Sequence, residues 1–450
     1  MKSIIIDPST GLKVREIPFS DWSSTALALE RSFAVSEHWR QMSLEARLHC
    51  VKVFEDRLQV RKEALANQIS KEMGKIRSEA MGEINKCITS CAQLRELFPQ
   101  WKAEKEYSVG EFSVHYEPLG PVLGIMPWNY PVWQVVRFAI PVLLNGNTIL
   151  LKHAPSTFGV AEMLTEVFAE AFPEAVFLNL FIDVDQVPTL LSDQRLRGVS
   201  LTGSRMAGSK VGALAGQHLK KCVLELGGSD AYVILDDADI ELAADVCTRG
   251  RLINVGQSCV AAKRFIVTRK NLKAFTEAMV SRFEKIKWGS PDSESDIGPM
   301  ARKDLRDALH GQVKASIAAG AQALVGGQIP DNEGFYYPAS VLAGVKPGQV
   351  AFEEELFGPV AAIIEAKDEA EAIVLANRSC YGLGGAVFSK DIERAKQIAL
   401  KKMDSGMVFV NDYVRSDARI PFGGIKDSGL GRELGREGSF EFCNIKTLKI

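Results

Sequence analysis

One cysteine of the chain stands where a nucleophile could act. Cys259 lies in the segment NVGQSCVAAKRF, directly before an apolar run that predicts a strand. The Asn, Gly and Ser residues before it favour a loop, and a loop at the mouth of a strand can expose a thiol. Free cysteines are more often small buried hydrophobes, which is our interpretation of the other seven of the eight. Both a nucleophilic and a structural role stay open for Cys259 at this point.

Two polar side chains in apolar surroundings could assist such a thiol. Glu225 is the single carboxylate of the predicted strand KCVLELG and is followed by two glycines. Burial would raise its pKa toward neutrality, which suits a general base, whereas a partly exposed edge position would give it no such task. Asn129 lies in PWNYP between prolines that fix the loop. Its amide is either a turn cap or an oxyanion donor.

The segment VSLTGSRMAG is typical of an anion site. A predicted strand is followed by Gly203, Ser204 and Gly208 at the start of a helix. In this arrangement the amides of a helix N-terminus can meet a phosphate. The order of residues differs from the nucleotide-triphosphate loop and from the G-x-G-x-x-G fingerprint, so the motif alone does not identify the ligand.

These residues lie in two successive alternations of strands and helices. Six short apolar segments alternate with helical ones from 118 to about 235, and a second alternation runs from 262 to about 410. We therefore predict an α/β fold with two doubly wound units that meet near Gly227 and Gly228. Helical spacing predicts helices across 36–98, with Ser43 as an N-cap. Alternation with period two predicts a strand or hairpin arm over 107–117.

The composition is that of an ordinary globular protein. The 450 residues are 46% apolar and 24% charged, and 54 basic against 56 acidic residues leave a net charge of −2. This balance does not indicate the excess of basic residues that binding to nucleic acid or to an anionic membrane requires. Five prolines break the apolar run 118–151, which predicts a buried strand, loop, helix and strand rather than a membrane span. With no signal peptide or metal-ligand spacing visible, we expect a cytoplasmic protein without a metal site.

Six motifs, taken in their order, resemble one family. PWNYP, LTGSRMAG, LELGG, GQSC, EEELFGP and PFGGIKDSGLGRE occur between residues 127 and 433. The chain resembles the NAD(P)-dependent aldehyde dehydrogenase superfamily over practically its whole length. The stretch Lys152-His153-Ala154 is similar to the bacterial succinate-semialdehyde dehydrogenase branch.

The resemblance implies a division of the chain and an assembly. Residues 1–102 and 119–227 would form a cofactor-binding domain, and 228–428 a catalytic domain. Residues 103–118 and 429–450 would form a small β arm that completes a neighbour's sheet in a homodimer or homotetramer. Exposed edge strands of this kind need a covering partner in any case.

The resemblance also implies a mechanism. Cys259 would attack the aldehyde carbonyl to form a thiohemiacetal, while Asn129 and the backbone N–H of Cys259 hold the oxyanion. After hydride transfer to the nicotinamide, Glu225 would activate the water that hydrolyses the thioester. Other residues match the cofactor contacts of the family, which run from the adenosine ribose to the nicotinamide ribose. They are Trp128, Lys152, Gly203, Ser204, Gly208, Leu226, Glu355 and Phe357.

Three positions depart from the usual pattern of the family. Pro155 stands where most NAD-preferring members have a glutamate that takes the ribose hydroxyls, so a 2′-phosphate would not be repelled. Lys152, with Ser156, could pair with that phosphate, and we expect NADP to be accepted and preferred over NAD. Ser229 replaces a lysine frequent after the LELGG motif. Phe138 replaces a lysine proposed to relay protons with the glutamate that matches Glu433, which leaves the proton exit route open.

Arg137 is the only charge in the apolar run 118–151 and needs a partner. It falls where the resembling helix lines the substrate tunnel, so we predict that it binds the carboxylate of an ω-carboxy aldehyde such as succinate semialdehyde, assisted by Ser416. The alternative is that Arg137 pairs with a carboxylate of the protein itself. The enzyme would then be a broad-specificity aliphatic aldehyde dehydrogenase.

Two further alternatives concern the reaction itself. The first is a catalytically silent binding or structural homologue, which the joint presence of Cys259, Glu225 and Asn129 argues against. The second is a CoA-dependent acylating enzyme, which the presence of Glu225 disfavours because that residue is needed for hydrolysis.

Overall fold

The computed structural model describes residues 2–450. Its strands are β1 (Lys2–Ile6), β2 (Lys13–Pro18), β3 (Tyr107–Val109), β4 (Phe112–Pro118), β5 (Pro121–Met126), β6 (Thr148–His153), β7 (Phe177–Asn179), β8 (Gly198–Thr202), β9 (Lys221–Glu225), β10 (Asp230–Ile234), β11 (Ala262–Thr268), β12 (Gln322–Val325), β13 (Ser340–Ala343), β14 (Val360–Ala366), β15 (Tyr381–Gly382), β16 (Gly384–Phe388), β17 (Met407–Val410), β18 (Ile425–Lys426), β19 (Gly429–Leu430) and β20 (Cys443–Lys449).

The α-helices fill most of the connections between these strands. They are α1 (Trp22–Gln41), α2 (Leu44–Met73), α3 (Arg77–Lys105), α4 (Trp133–Leu144), α5 (Phe158–Ala171), α6 (Val187–Ser192), α7 (Arg205–Gln217), α8 (Ile240–Leu252), α9 (Arg269–Phe283), α10 (Lys303–Ala318), α11 (Val350–Glu353), α12 (Glu369–Asn377), α13 (Ile392–Lys401) and α14 (Gly435–Ser439). Short 3₁₀ turns cover Pro155–Thr157, Val184–Gln186 and Ile253–Gly256.

Two large sheets confirm the predicted α/β class. The first has six strands in the order β19-β9-β8-β5-β6-β7, and its strands β5 to β9 are parallel. The second has seven strands in the order β12-β13-β14-β11-β10-β16-β17, parallel except for β12. Strands β5, β6, β8, β10 and β11 are buried almost throughout, as expected for parallel strands covered by helices on both faces.

The apolar run 118–151 folds as predicted into strand β5, a loop, helix α4 and strand β6. Every residue of α4 is buried. The helix is oriented by a carboxylate from α3, because Glu83 accepts hydrogen bonds from the backbone N–H groups of Val132 and Trp133, both at 2.9 Å. The predicted N-cap of α2 is also confirmed, since the Ser43 hydroxyl accepts from Ala46 N at 3.2 Å. Within residues 2–450, no helix combines the length and apolarity that a membrane span requires.

A third, three-stranded sheet has the order β20-β4-β3. Strand β20 pairs antiparallel with β4 from Cys443 opposite Pro118 to Lys449 opposite Phe112. The residues from 429 onward do not all join it, because β19 pairs with β9 in the six-stranded sheet. Gly429 permits this pairing, since a side chain there would come within 2.0 Å of the carbonyl of Leu224. The C-terminal segment therefore contributes to two sheets, while the division into domains stays a prediction.

Candidate active site

A loop with unusual backbone geometry carries Cys259. Asn254, Val255 and Gly256 have φ angles of 53°, 57° and 70°, which is costly for the two non-glycine residues, by about 1–3 kcal/mol each. Gly256 is needed for a second reason, because a Cβ there would lie 2.3 Å from the carbonyl oxygen of Gly358. The loop that was predicted before β11 is thus strained and tightly enclosed, as active-site loops frequently are.

The Asn129 side chain holds this loop from the other side. Its Nδ2 donates to the backbone carbonyl of Gln257 at 3.0 Å, and the backbone carbonyl of Asn129 accepts from Asn254 Nδ2 at 2.8 Å. Asn254 also donates to the Gln257 carbonyl at 3.1 Å. An amide nitrogen carries two hydrogens, so Asn129 can donate a second hydrogen bond beside Cys259.

Cys259 lies in the wall between two cavities. One, of about 250 Å³, is also lined by Asn129 and Thr202 and by residues predicted to contact a dinucleotide, among them Ser204 and Glu355. The other, of about 280 Å³, is also lined by Trp133, Arg137 and Ser416. The thiol can therefore meet one ligand on each side. The structure brings the predicted substrate residues into one cavity lined by Cys259 and most of the predicted cofactor residues into the other.

Burial raises the pKa of the Cys259 thiol to about 12, against the opposite influence of the Arg137 and Lys263 cations. Lys263 was not recognised in the sequence. Its Nζ donates to the carbonyls of Ser258 and Cys259 at 3.0 and 2.7 Å and forms an ion pair with Glu355 at 3.2 Å. Lys263 thereby connects the loop that carries Cys259 with Glu355, the predicted ribose contact. In the sequence, the only sign of this role is that Lys263 stands four residues after Cys259. That spacing does not distinguish Lys263 from a lysine exposed to solvent.

Glu225 is buried at the end of β9, with 1% of its surface exposed. Among residues 2–450, neither of its carboxylate oxygens has a hydrogen-bond partner. Burial raises the pKa of Glu225 well above its ordinary value, and the negative charge of Glu433 adds to this, while Arg137 acts in the opposite direction. The sequence left open whether Glu225 is buried or partly exposed at an edge, and in the structure it is buried.

Arg137 has a partner within the protein. Its Nε forms an ion pair with Glu433, and both side chains are buried. Its Nη2 donates to Thr202 Oγ1 at 3.2 Å, and its guanidinium lies 4.5 Å from the centre of the Phe422 ring. The alternative partner considered for Arg137, an internal carboxylate, is therefore present. Because the side chain also lines the cavity beside Cys259, contact with a substrate stays a prediction.

The Phe138 side chain belongs to the core and not to the site. Its ring fills the space that a Cβ on Gly124 would occupy, at 2.5 Å, and lies edge-on to Phe442 at 6.1 Å. The contact with Glu433 is made instead by the preceding residue, Arg137, and by the Ser200 hydroxyl, which donates at 3.2 Å. Ser229 is buried, and its carbonyl accepts from Arg264 Nε at 3.0 Å.

The cavity of about 250 Å³ has features that fit a dinucleotide. Ser204 caps α7 by accepting from Ala207 N at 3.3 Å, and Gly203 and Ser204, at the start of this helix, line the cavity. The Glu355 carboxylate accepts from Gly228 N at 3.1 Å. A side chain on Gly227 would lie 2.4 Å from Glu355 Oε2. The cavity therefore offers helix-terminal donors for phosphate and a fixed carboxylate for ribose hydroxyls.

Aromatic and aliphatic side chains complete this cavity. Trp128 and Phe357 meet edge to face at 5.9 Å in its wall. Leu226 also lines it and lies directly over Gly208, where a Cβ would come within 2.4 Å of the leucine side chain. Gly208 is thus a packing position under the cavity wall rather than a part of it.

The residues predicted near the adenosine lie elsewhere. Lys152 is buried at the end of β6, where burial lowers its pKa, and its Nζ is 3.5 Å from the His153 carbonyl. Pro155 and Ser156 line a separate cavity of about 530 Å³, together with Arg302 and Lys303 among others. The structure therefore does not bring these three residues to the cavity beside Cys259.

The aldehyde dehydrogenase family profile matches residues 2–448, and the chain belongs to that family. Its curated relatives include a succinate semialdehyde dehydrogenase [NAD(P)+] of Escherichia coli K12, 45% identical over 99% of this chain and 97% of that protein. A succinate-semialdehyde dehydrogenase [NADP(+)] of Deinococcus radiodurans is 40% identical over 99% and 94%. The crystal structure of a Streptococcus pyogenes succinic semialdehyde dehydrogenase with NADP+ matches with a TM-score of 0.96, at 35% identity over 100% of this chain and 99% of that one.

Proposed function

We propose that the protein oxidises succinate semialdehyde to succinate with NADP or NAD. The observation that carries this proposal is the position of Cys259 between two cavities, one with dinucleotide-binding features and one with positively charged side chains. A nucleophile in that position can hold an aldehyde on one side and face a hydride acceptor on the other. The similarity to the succinate-semialdehyde dehydrogenases of E. coli and D. radiodurans supports the same substrate.

Cys259 acts as the nucleophile. Its thiolate adds to the aldehyde carbon and forms a C–S bond, while the carbonyl oxygen takes the negative charge. The second N–H of Asn129 and the backbone N–H of Cys259 hold this oxyanion. NAD(P)+ supplies, when bound beside the thiol, a hydride acceptor and a positively charged ring. Because burial keeps the pKa of the thiol high, such a positive charge favours the thiolate.

Glu225 acts as the base for the second half-reaction. Loss of hydride from the thiohemiacetal leaves a thioester on Cys259, which water must hydrolyse. Glu225 takes a proton from that water as it attacks the acyl carbon, and the thiolate leaves. A raised pKa suits this task, because a base is most effective when its pKa lies near the working pH.

The choice of cofactor is part of the proposal. No carboxylate stands at position 155, where Pro155 is found, and Lys152 lies nearby at the end of β6. We therefore expect NADP to be used, with a higher kcat/KM than NAD. Steady-state kinetics with both cofactors tests this, and a strong preference for NAD would contradict it.

The rival function is a broad-specificity aliphatic aldehyde dehydrogenase, and the internal ion pair of Arg137 is the observation that favours it. A panel of succinate semialdehyde, glutarate semialdehyde and hexanal separates the two. We expect succinate semialdehyde to give the highest kcat/KM. A matching or higher value for hexanal would establish the rival. Cys259→Ala must abolish NAD(P)H formation in every case, and persistent activity would refute the role of the thiol.

We also place the enzyme in the cytoplasm as a homodimer or homotetramer. The sheet β20-β4-β3 supports the assembly, because Val109, Phe112 and Ile445 expose 64%, 43% and 58% of their surface on it. Apolar side chains beside a free strand edge are usually covered by a partner. Light scattering of the purified protein tests the oligomeric state.

A further inference from the structure

The cavity on the substrate side of Cys259 contains a lysine that the mechanism above does not use. Lys86, on α3, lines this cavity together with Trp133, Arg137 and Ser416. Its Nζ donates to Ser416 Oγ at 2.7 Å and lies 4.5 Å from the centre of the Trp133 ring. Trp133 Nε1 donates to the same hydroxyl at 3.2 Å. An ammonium group has three N–H donors, so two remain available for a ligand.

Lys86 differs from Lys75 and Arg137, which line the same cavity, because it has no ion-pair partner in the part of the chain that the structure describes. Lys75 pairs with Glu83, and Arg137 pairs with Glu433. Within the part of the chain that the structure describes, no carboxylate forms an ion pair with Lys86 Nζ, whose side chain is half-buried. A cation held in a protein cavity without a counter-charge is unfavourable, and an anionic ligand would relieve this.

We propose that Lys86, with the hydroxyl of Ser416, binds the carboxylate of the aldehyde substrate and so sets the preference for aldehydes with a negative charge at the far end. This inference rests on the proposed function and deepens it. The ammonium donates to the carboxylate oxygens, and the Trp133 ring limits where the substrate chain can lie. Arg137, already neutralised by Glu433, then serves mainly to hold that glutamate.

The surroundings of Lys86 give the proposal a pH signature. Burial lowers the pKa of Lys86 to about 8, and the positive charge of Arg137 adds to this, while Asp417 and Glu83 act in the opposite direction. The titratable and charged groups that face Lys86 or share its cavity are Lys75, Glu79, Glu83, Cys87, Tyr130, Arg137, Cys259, Arg415 and Asp417. Since the charged form of Lys86 binds the carboxylate, binding weakens as pH rises through about 8.

The test compares succinate semialdehyde with butanal, which has the same carbon chain without the carboxylate. The ratio of the two kcat/KM values cancels the titration of Cys259 and Glu225, because both substrates need them. In the wild-type enzyme we expect this ratio to fall as pH rises through about 8. In Lys86→Met we expect the ratio at neutral pH to drop about 30-fold, as for loss of a charge-assisted hydrogen bond, and to become independent of pH.

Two further variants complete the experiment. Lys86→Arg keeps the charge and should retain most of the preference. Lys71→Met makes the same chemical change on an exposed lysine of α2 and should keep the wild-type ratio. A wild-type preference for succinate semialdehyde that survives in Lys86→Met, or that is flat across pH 8, overturns the assignment of Lys86 and leaves the proposed function standing. A wild-type enzyme without that preference overturns both.

Discussion

Glu433 is expected to set the pH at which Glu225 can act as a base. Glu433 is held by its ion pair with Arg137 and by the Ser200 hydroxyl, and its negative charge helps burial to raise the pKa of Glu225. Glu433→Gln removes that charge and leaves the Arg137 cation unpaired beside Glu225. Both changes favour the carboxylate form of Glu225, so both lower its pKa.

The size of the effect follows from electrostatics in a partly buried site. A unit charge about 6–12 Å away, acting through an effective dielectric constant of about 20, shifts a pKa by about 1–2 units. Thioester hydrolysis needs deprotonated Glu225 and therefore speeds up as pH rises through its pKa. We expect the midpoint of this rise to move about 1–2 units toward acid in Glu433→Gln.

The assay is the steady rate of NAD(P)H formation after the first turnover, followed at 340 nm across the pH range. Arg137→Met removes the opposing charge and should move the midpoint toward alkali, whereas the double variant should return close to the wild type. Glu437→Gln, an exposed carboxylate four residues further on, is the control and should leave the midpoint unmoved. A midpoint in Glu433→Gln that stays in place or moves toward alkali would refute this electrostatic account of Glu225.

Three further substitutions test other parts of the site. Glu225→Gln should still release one NAD(P)H per subunit in a stopped-flow burst and then turn over about 10²–10⁴-fold more slowly, while absence of the burst would contradict a role confined to hydrolysis. Asn129→Ala should lower kcat/KM by about 10²–10³-fold by removing the oxyanion donor, and a loss below tenfold would speak against that donor. Gly208→Ala should weaken NADP binding in calorimetry, because its Cβ would meet Leu226 at 2.4 Å, whereas Gly216→Ala on the same helix has open space and should bind normally.

Much of the fold could be predicted from the sequence, because the signals that indicate it are local. The strand–loop–helix–strand order of 118–151 follows from its prolines and its apolar run, and the loop before Cys259 follows from its Asn, Gly and Ser residues. Spacing also indicated that Ser204 would begin a helix. These predictions depend only on neighbours along the chain, which is why the structure agrees with them.

The partners of the charged residues could not be read in this way. Arg137 and Glu433 are far apart in sequence and meet because β19 returns to the edge of the six-stranded sheet. Lys86 lies on a long helix, where a lysine usually faces water, and its position in the cavity depends on how α3 packs against α4. Lys263 sits in an apolar strand with nothing nearby to show that it contacts Glu355. Long-range packing decides each of these contacts, and no local pattern encodes it.

The last twenty-odd residues connect the outer sheet with the surroundings of Glu225. The same short stretch of backbone supplies the edge strand β19, then the Glu433 carboxylate beside Glu225, and finally β20 in the outer sheet. We therefore expect a displacement of β20 to shift Glu433, about ten residues upstream, and with it the pKa of Glu225. We expect removal of the terminus, or fusion of a bulky domain to it, to change the rate of thioester hydrolysis although no reacting atom is lost.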